Sequence, residues 1–278
     1  ELFKVDTYYK KERPLGLLLR TLRCLFRTRD VIILLSGNGM KLYFPLLFFF
    51  SKHFHTRVYH DVIGGNLDSY VRDNPKFKAY LNSFQANWVE TDGLKNRLTA
   101  LGVTNCSVIP NFKRLDLLSE DELVYPTGTP YRLCTFSRVC KEKGIEDAVR
   151  AVISVNEALG YTAYTLDIYG QVDSGQTEWF EQLMTTVPRE VQYKGSVAYD
   201  QSVAVIKNYF ALLFPTQYFT EGIPGTIIDA YAAGVPVISS KWAGFSDVIH
   251  EGITGVGYSF GALNELVEVL IRLVILKQ

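Results

Sequence analysis

The segment PTQYFTEGIPGTIIDAYAAGVPVISS, Pro215 to Ser240, decides the fold class. An apolar run before it, Ala211 to Phe214, reads as a buried strand. A short loop holding Glu221 and Gly222 leads into a helix from about Gly225, which stops at Gly234 and gives way to a second buried strand, Val235 to Ser239. Pro224 suits the first turn of that helix, where a missing N–H costs little, and Gly234 suits a left-handed cap. The helix opening presents unpaired N–H groups and about half a positive charge, a place for an anion and most naturally a phosphate. Glu221 would repel that phosphate, so it needs another role, the simplest being an acceptor for sugar hydroxyls joined to the phosphate. Asp229 falls about two helical turns along, near the same face.

Working outward, the second half repeats this pattern. Strands are expected at Tyr131 to Phe136, Thr165 to Tyr169, Val191 to Tyr193, Ala211 to Phe214 and Val235 to Ser239, separated by helices near 144–160, 177–186, 200–209, 225–233 and 262–275. Ile145, Ala148, Val149 and Val152 make one apolar stripe at helical spacing. This is a doubly wound α/β domain, with ligands expected at the carboxyl edge of a parallel sheet. There the first strand runs into FSRVCKEKG, where Arg138 and Lys143 flank a strand-to-helix turn. A diphosphate needs cations held at a fixed spot, and Arg can grip it bidentately. Gly170 after LDIY and Gly195 after VQYK sit at strand ends, where a side chain would block a ligand.

The first half reads the same way. Val31 to Leu35 is a short strand, Gly37-Asn38-Gly39 turns it into an apolar helix ending near His53, and Arg57 to Tyr59 is the next strand. HDVIGG follows, placing His60 and Asp61 at the sheet's carboxyl edge, where the pair either lines a cleft or, for a lone histidine, is structural. Ala86 to Val89 and Cys106 to Ile109 complete the strands, with a helix from Asp92 to Leu101 between them. The division is 1–114 for the first domain, 115–130 for a linker containing SEDE and PTGTP, and 131–278 for the second.

These motifs resemble the E-x7-E signature of the retaining GT-B glycosyltransferases of family 4, or group 1. Glu221 matches the first acid, and Asp229 stands where the second glutamate is usual. FSRVCKEKG resembles the family's G-R…K-G element, with Ser137 in place of Gly, and VIGG looks like the capsular or exopolysaccharide branch. The resemblance implies two Rossmann-like domains facing a cleft and a nucleotide-sugar donor, UDP- or GDP-linked, with no further cofactor. It implies that Glu221 contacts the donor sugar, Asp229 the ribose, and Arg138 and Lys143 the diphosphate. Gly170, Gly195, Ser196, Val197, Gly222, Ile223, Gly225 and Thr226 would line the donor pocket, and His60 and Asp61 the active cleft. The acceptor would be a saccharide or lipid-linked saccharide. No strand, Gly-rich loop and helix precede Val31, so the first domain is expected to be incomplete.

No two aspartates stand two residues apart, so the Asp-X-Asp metal clamp of GT-A transferases is absent and a metal-independent reaction is expected. No G-x-G-x-x-G follows a strand, which disfavours a nicotinamide enzyme. An inactive nucleotide-binding scaffold and a sugar-nucleotide epimerase remain as alternatives. Lys+Arg and Asp+Glu both number 29, so no global basic field calls for nucleic acid. At 47% hydrophobic and 13% aromatic, the chain is well cored. Four scattered cysteines without a CxxC pair read as reduced thiols in the cytoplasm. Within residues 10–29, Leu15 to Arg27 reads as a helix whose Arg20, Arg23 and Arg27 form a basic stripe. It either lies on anionic lipid at the inner face of the plasma membrane or packs its leucines on a core.

Overall fold

The computed structural model describes residues 3–6, 14–115 and 117–277. The chain divides into two compact units, Glu1–Pro110 and Asn111–Gln278.

In the first unit, strands β1 (Asp30–Leu34), β2 (Arg57–Asp61), β3 (Ala86–Val89) and β4 (Cys106–Val108) pair in that order, all parallel. Helices α1 (Pro14–Leu25), α2 (Gly37–His53), α3 (Leu67–Asp73), α4 (Lys76–Ser83) and α5 (Asp92–Ala100) connect or flank them. The hydrophobic spacing of α2 puts Met40, Phe44, Leu47 and Phe50 on one buried face, each contributing about 1.5–3 kcal/mol of apolar burial. α5 is capped by Thr91, whose hydroxyl accepts from the Leu94 N–H at 3.2 Å, a partner for an otherwise unpaired donor.

β2 runs two residues further than the sequence suggests, and this corrects the placement of His60. Alternation along the strand puts His60 on the same face as Val58, and both are 0% exposed. Its imidazole packs edge-on against Phe44 at 5.1 Å, and neither ring nitrogen has a hydrogen-bond partner. Burial pushes its pKa down to about 4, with the neighbouring Asn87 pulling the other way. His60 is therefore a neutral core residue. Asp61, on the opposite face, ends the strand half-buried at the carboxyl edge.

On α1 part of the leucine-rich face packs on the core, as one of the two sequence readings expects. Thr21 and Leu25 are buried, while Leu15, Leu18 and Leu19 are exposed and Arg20, Arg23 and Arg27 face water. Residues 10–13 of the basic segment lie outside the described residues. Among the described residues, no helix is long and apolar enough to cross a membrane.

In the second unit, β5 (Tyr131–Phe136), β6 (Tyr164–Tyr169), β7 (Val191–Gly195), β8 (Ala211–Phe214), β9 (Val237–Ser240) and β10 (Gly255–Tyr258) form a six-stranded sheet. Its order is β7-β6-β5-β8-β9-β10, every pairing parallel. One face is covered by α6 (Ile145–Leu159), α7 (Thr177–Thr186) and α11 (Leu263–Lys277). The other is covered by α8 (Ser202–Ile206), α9 (Gly225–Ala232) and the short α10 (Phe245–Val248). The strand order reverses between β5 and β8, and a doubly wound sheet opens a crevice for ligands outside the carboxyl ends at such a reversal.

The domain boundary moves to residue 110. Residues 111–114 belong to the second unit because Asn111 Nδ2 donates to the Ile223 carbonyl at 2.9 Å and Lys113 pairs with Asp229. The expected linker also packs here: Leu115 and Leu118 join the α8–α9 core, and Leu123 lies against Gly234. Gly234 has φ +67° and caps α9 in the left-handed conformation anticipated from the sequence.

Candidate active site

The reversal point gathers the residues of two loops. The turn after β5 carries Arg138 and Lys143, and the loop after β8 carries Thr216, Tyr218 and Glu221. The two loops touch directly. The Lys143 ammonium donates to Glu221 Oε1, and the Thr216 hydroxyl donates to the same oxygen at 2.9 Å. Both side chains of the ion pair are largely shielded, at 17% and 14% exposure. Lys143 also sits over the rings of Tyr218 at 5.1 Å and Phe214 at 5.6 Å, positions where an aromatic face attracts a cation. Burial, helped by the nearby Cys140 and Glu142, pushes the Tyr218 phenol up.

The backbone of this site is fixed from beneath. Ser239 and Ser240 at the end of β9 donate to the carbonyls of Phe214 and Thr216 at 2.9 and 2.6 Å. The Gln217 N–H donates to the Glu142 carbonyl at 2.8 Å, tying the loop after β8 to the turn after β5. Glu142 in turn accepts from Gln176 at 2.9 Å, and that amide is the leading cause holding its carboxyl below the usual range. Arg138 is more exposed and pairs with Asp173 at 3.4 Å.

Pro224 occupies the N-cap of α9, one position before the first turn, and Gly225 opens the helix. A Cβ built on Gly225 meets no atom within 4 Å, so the amides at this end are approachable. Gly222, Ile223 and Thr226 are half-buried around the opening, and the Thr226 hydroxyl has no partner. Asp229, 4% exposed, lies one turn in and pairs with Lys113 at 2.5 Å.

The two strand-end glycines have different reasons. At Gly170 a Cβ would stand 1.7 Å from the Ser137 carbonyl oxygen, and φ is +133°. The constraint the structure shows is close backbone packing within the protein. Gly195, with φ +76°, is open on its Cβ side. Ser196 beside it is exposed and Val197 half-buried.

The structure thus brings Lys143, Glu221 and the α9 opening to one reversal point, with Arg138 on the same turn as Lys143, Gly195 ending β7, and His60 and Asp61 in the other unit. Sequence reasoning missed Thr216, Tyr218 and Lys113. Thr216 had a signal, standing two residues past a buried strand in the segment already singled out. In the first unit it missed Asp68, 3% exposed, which accepts from Arg72 at 2.8 Å and Arg97 at 3.1 Å. Arg97 also donates to the Gly65 carbonyl at 3.0 Å, fixing the glycine turn after β2.

A doubly wound parallel sheet with polar loops at its reversal point, an acid held between a lysine and a threonine, and a glycine-opened helix defines a Rossmann-like domain. Residues 130–275 match the family described as glycosyl transferases group 1, and the chain belongs to that family. It is 25% identical over 153 residues to the amylovoran biosynthesis glycosyltransferase AmsK of Erwinia amylovora, covering 52% of this chain and 36% of that protein. It is 26% identical over 133 residues to glycogen synthase of Mycobacterium tuberculosis, covering 47% of this chain and 31% of that one. The chain thus spans about a third of the length of these curated relatives. The pneumococcal O-GlcNAc transferase GtfA, solved with UDP and GlcNAc, superimposes with TM-score 0.71 at 18% identity, covering 94% of this chain and 52% of that one. The fold is GT-B, with two Rossmann-like parallel-sheet domains.

Proposed function

We propose that the chain transfers a sugar from a nucleotide donor, UDP- or GDP-linked, to an acceptor hydroxyl with retention of configuration and without a metal ion. The observation that carries this reading is the Lys143–Glu221–Thr216 cluster at the strand reversal, beside the α9 opening, in a chain of the group 1 family. Glu221 would position the donor sugar through its hydroxyls. As the bond from the anomeric carbon to the diphosphate breaks, Arg138, Lys143 and the α9 amides would neutralise the charge that develops. Fixed donors aimed at developing charge contribute several kcal/mol to such a step. The ribose would meet Asp229, with Gly195, Ser196 and Val197 around the base. UDP in the GtfA structure supports UDP as the first nucleotide to try.

The acceptor we propose is a saccharide or lipid-linked saccharide in polysaccharide synthesis, met at the cytoplasmic face of a membrane. Exposed Leu15, Leu19 and Phe26 beside exposed Arg20, Arg23 and Arg27 support lipid contact through α1 and the residues after it. Each basic residue near an anionic surface contributes about 1 kcal/mol. Vesicles containing phosphatidylserine should bind the protein in low salt and release it in high salt, and no salt-sensitive binding removes the membrane from the proposal.

The decisive test is calorimetric titration with UDP and GDP, on wild type and on Arg138→Ala/Lys143→Ala. Micromolar affinity corresponds to about −8 kcal/mol, and each lost charged hydrogen bond should weaken it by about 1.5–3 kcal/mol. Binding that ignores both substitutions refutes the phosphate assignment.

A further inference from the structure

Asp229 is one methylene shorter than the glutamate usual at its position, and it lies almost wholly out of water at 4% exposure. A carboxylate at that depth needs a compensating charge. The charge comes from outside the segment that matches the family, 130–275. Lys113 Nζ lies 2.5 Å from Asp229 Oδ1, and the lysine side chain keeps 26% of its surface in contact with solvent. The backbone leading to Lys113 is anchored two residues earlier, where Asn111 Nδ2 donates to the Ile223 carbonyl at 2.9 Å. Ile223 sits between Glu221 and the first turn of α9. Residues 111–113 are therefore strapped across the acidic motif at both of its ends, on the loop after Glu221 and on Asp229.

A ribose carries two adjacent hydroxyls, each able to donate and accept. A carboxylate offers only acceptors, and shortening it withdraws them from the ligand. An ammonium has three N–H donors, and Asp229 Oδ1, though within ion-pair distance of Lys113, takes no aligned hydrogen bond from it. The partial exposure of Lys113 leaves its donors able to meet a polar group outside the pair. We infer that Lys113 is a specificity-determining residue of the nucleotide site. It orients the Asp229 carboxylate to accept from one ribose hydroxyl and itself donates to the other, restoring the reach that aspartate lacks. The inference rests on the nucleotide-sugar reading of this site, which it deepens by naming what reads the ribose.

The experiment is titration of UDP, 2′-deoxy-UDP and 3′-deoxy-UDP, with the guanosine series in parallel, into wild type, Lys113→Met and Lys113→Arg, with melting temperatures recorded for each. Wild type should prefer the ribonucleotide. Lys113→Met should lose about tenfold or more in affinity for it, the scale of a hydrogen bond to a charged group. For the deoxy form that lacks the hydroxyl Lys113 meets, its affinity should come within about twofold of the ribo form's, because the donor that told them apart is gone, while Asp229 can still accept from the other hydroxyl. Equal weakening for all three ligands would assign Lys113 to the phosphate or to the fold, and the inference falls. An unchanged ratio in a folded variant overturns it as well. If Lys113→Met does not fold, Lys113→Arg decides: it keeps the charge on Asp229 but moves the donors, so an unchanged ribo-to-deoxy ratio is again a refutation. Wild type that binds neither UDP nor GDP refutes the nucleotide-sugar reading itself, and this inference with it.

Discussion

Replacing His60 by glutamine should flatten the acid sensitivity of the first unit. The imidazole is 0% exposed, its two nitrogens have no partners, and the rings of Phe44 and Phe84 pack against it. Burial lowers its pKa from 6.5 to about 4. As pH falls below about 6.5 the unfolded chain takes up a proton that the folded protein refuses until about 4, so stability falls across that window and is complete above it. Each pH unit well inside the window costs about 1.4 kcal/mol, which with the tapering at both ends gives about 2.4 kcal/mol between neutral pH and about pH 4.5. Glutamine keeps a polar side chain of similar size and does not titrate. The assay is amide hydrogen exchange of peptides spanning β2 and β3, at pH about 7 and about 4.5, corrected for intrinsic exchange. Subtracting the variant removes the titration of carboxylates common to both proteins. The wild type should lose about 2.4 kcal/mol more local stability than the variant. A difference that does not change with pH would mean that the imidazole charges freely, and the core placement of His60 would be wrong.

Glu221→Gln should lower turnover by about 10²- to 10³-fold, the scale for a group aimed at the reacting centre. Because the amide oxygen can still accept from Thr216 and Lys143, stability should fall by no more than about 1 kcal/mol; parallel loss of both in kinetics and thermal melting would make Glu221 structural. Gly170→Ala should lower the melting temperature by several degrees, because its Cβ would stand 1.7 Å from the Ser137 oxygen at a φ of +133° and such strain costs about 1–3 kcal/mol or more. A variant that melts with wild type would show that the backbone at Gly170 gives way freely. Exhaustive chelation should leave sugar transfer within about twofold if Arg138 and Lys143 neutralise the leaving group. A large loss restored by magnesium would refute the metal-independent reading.

The second unit was legible because its apolar runs are long and punctuated by glycine and proline where chain direction changes. β10 escaped notice because Gly255 and Gly257 make up half of its four residues and leave too little apolar pattern to read. His60 was misplaced because a polar pair after a short apolar run looks like a strand end. What held it inside was the alternation set by Val58 and the aromatic wall of α2, which no local signal reports. The placement of Glu221, Lys143 and Arg138 in loops after strands was legible from the residues that end the apolar runs. The partners of the acids were not, since Asn111 and Ile223 stand 112 positions apart and Lys113 lies in a run with the composition of a linker. Gly170 was chosen correctly as a constrained position, but the atom it makes room for belongs to Ser137.

Lys143 and Glu221 are 78 positions apart, brought together because β5 and β8 are neighbours while β6 and β7 are laid down between them. Closing so long a loop costs entropy that local contacts cannot repay, so this contact forms late, once the two halves of the sheet have joined. During synthesis the β5–β6–β7 half can collapse early, but it holds only the cationic side of the site. Until the chain through β9 has emerged, Glu221, the α9 opening and the Ser239 and Ser240 supports are not in place. Nucleotide capture would then act as a check on assembly. At one hundred times its dissociation constant a ligand adds about 2.7 kcal/mol to the folded state alone, and only a fully joined sheet can collect it.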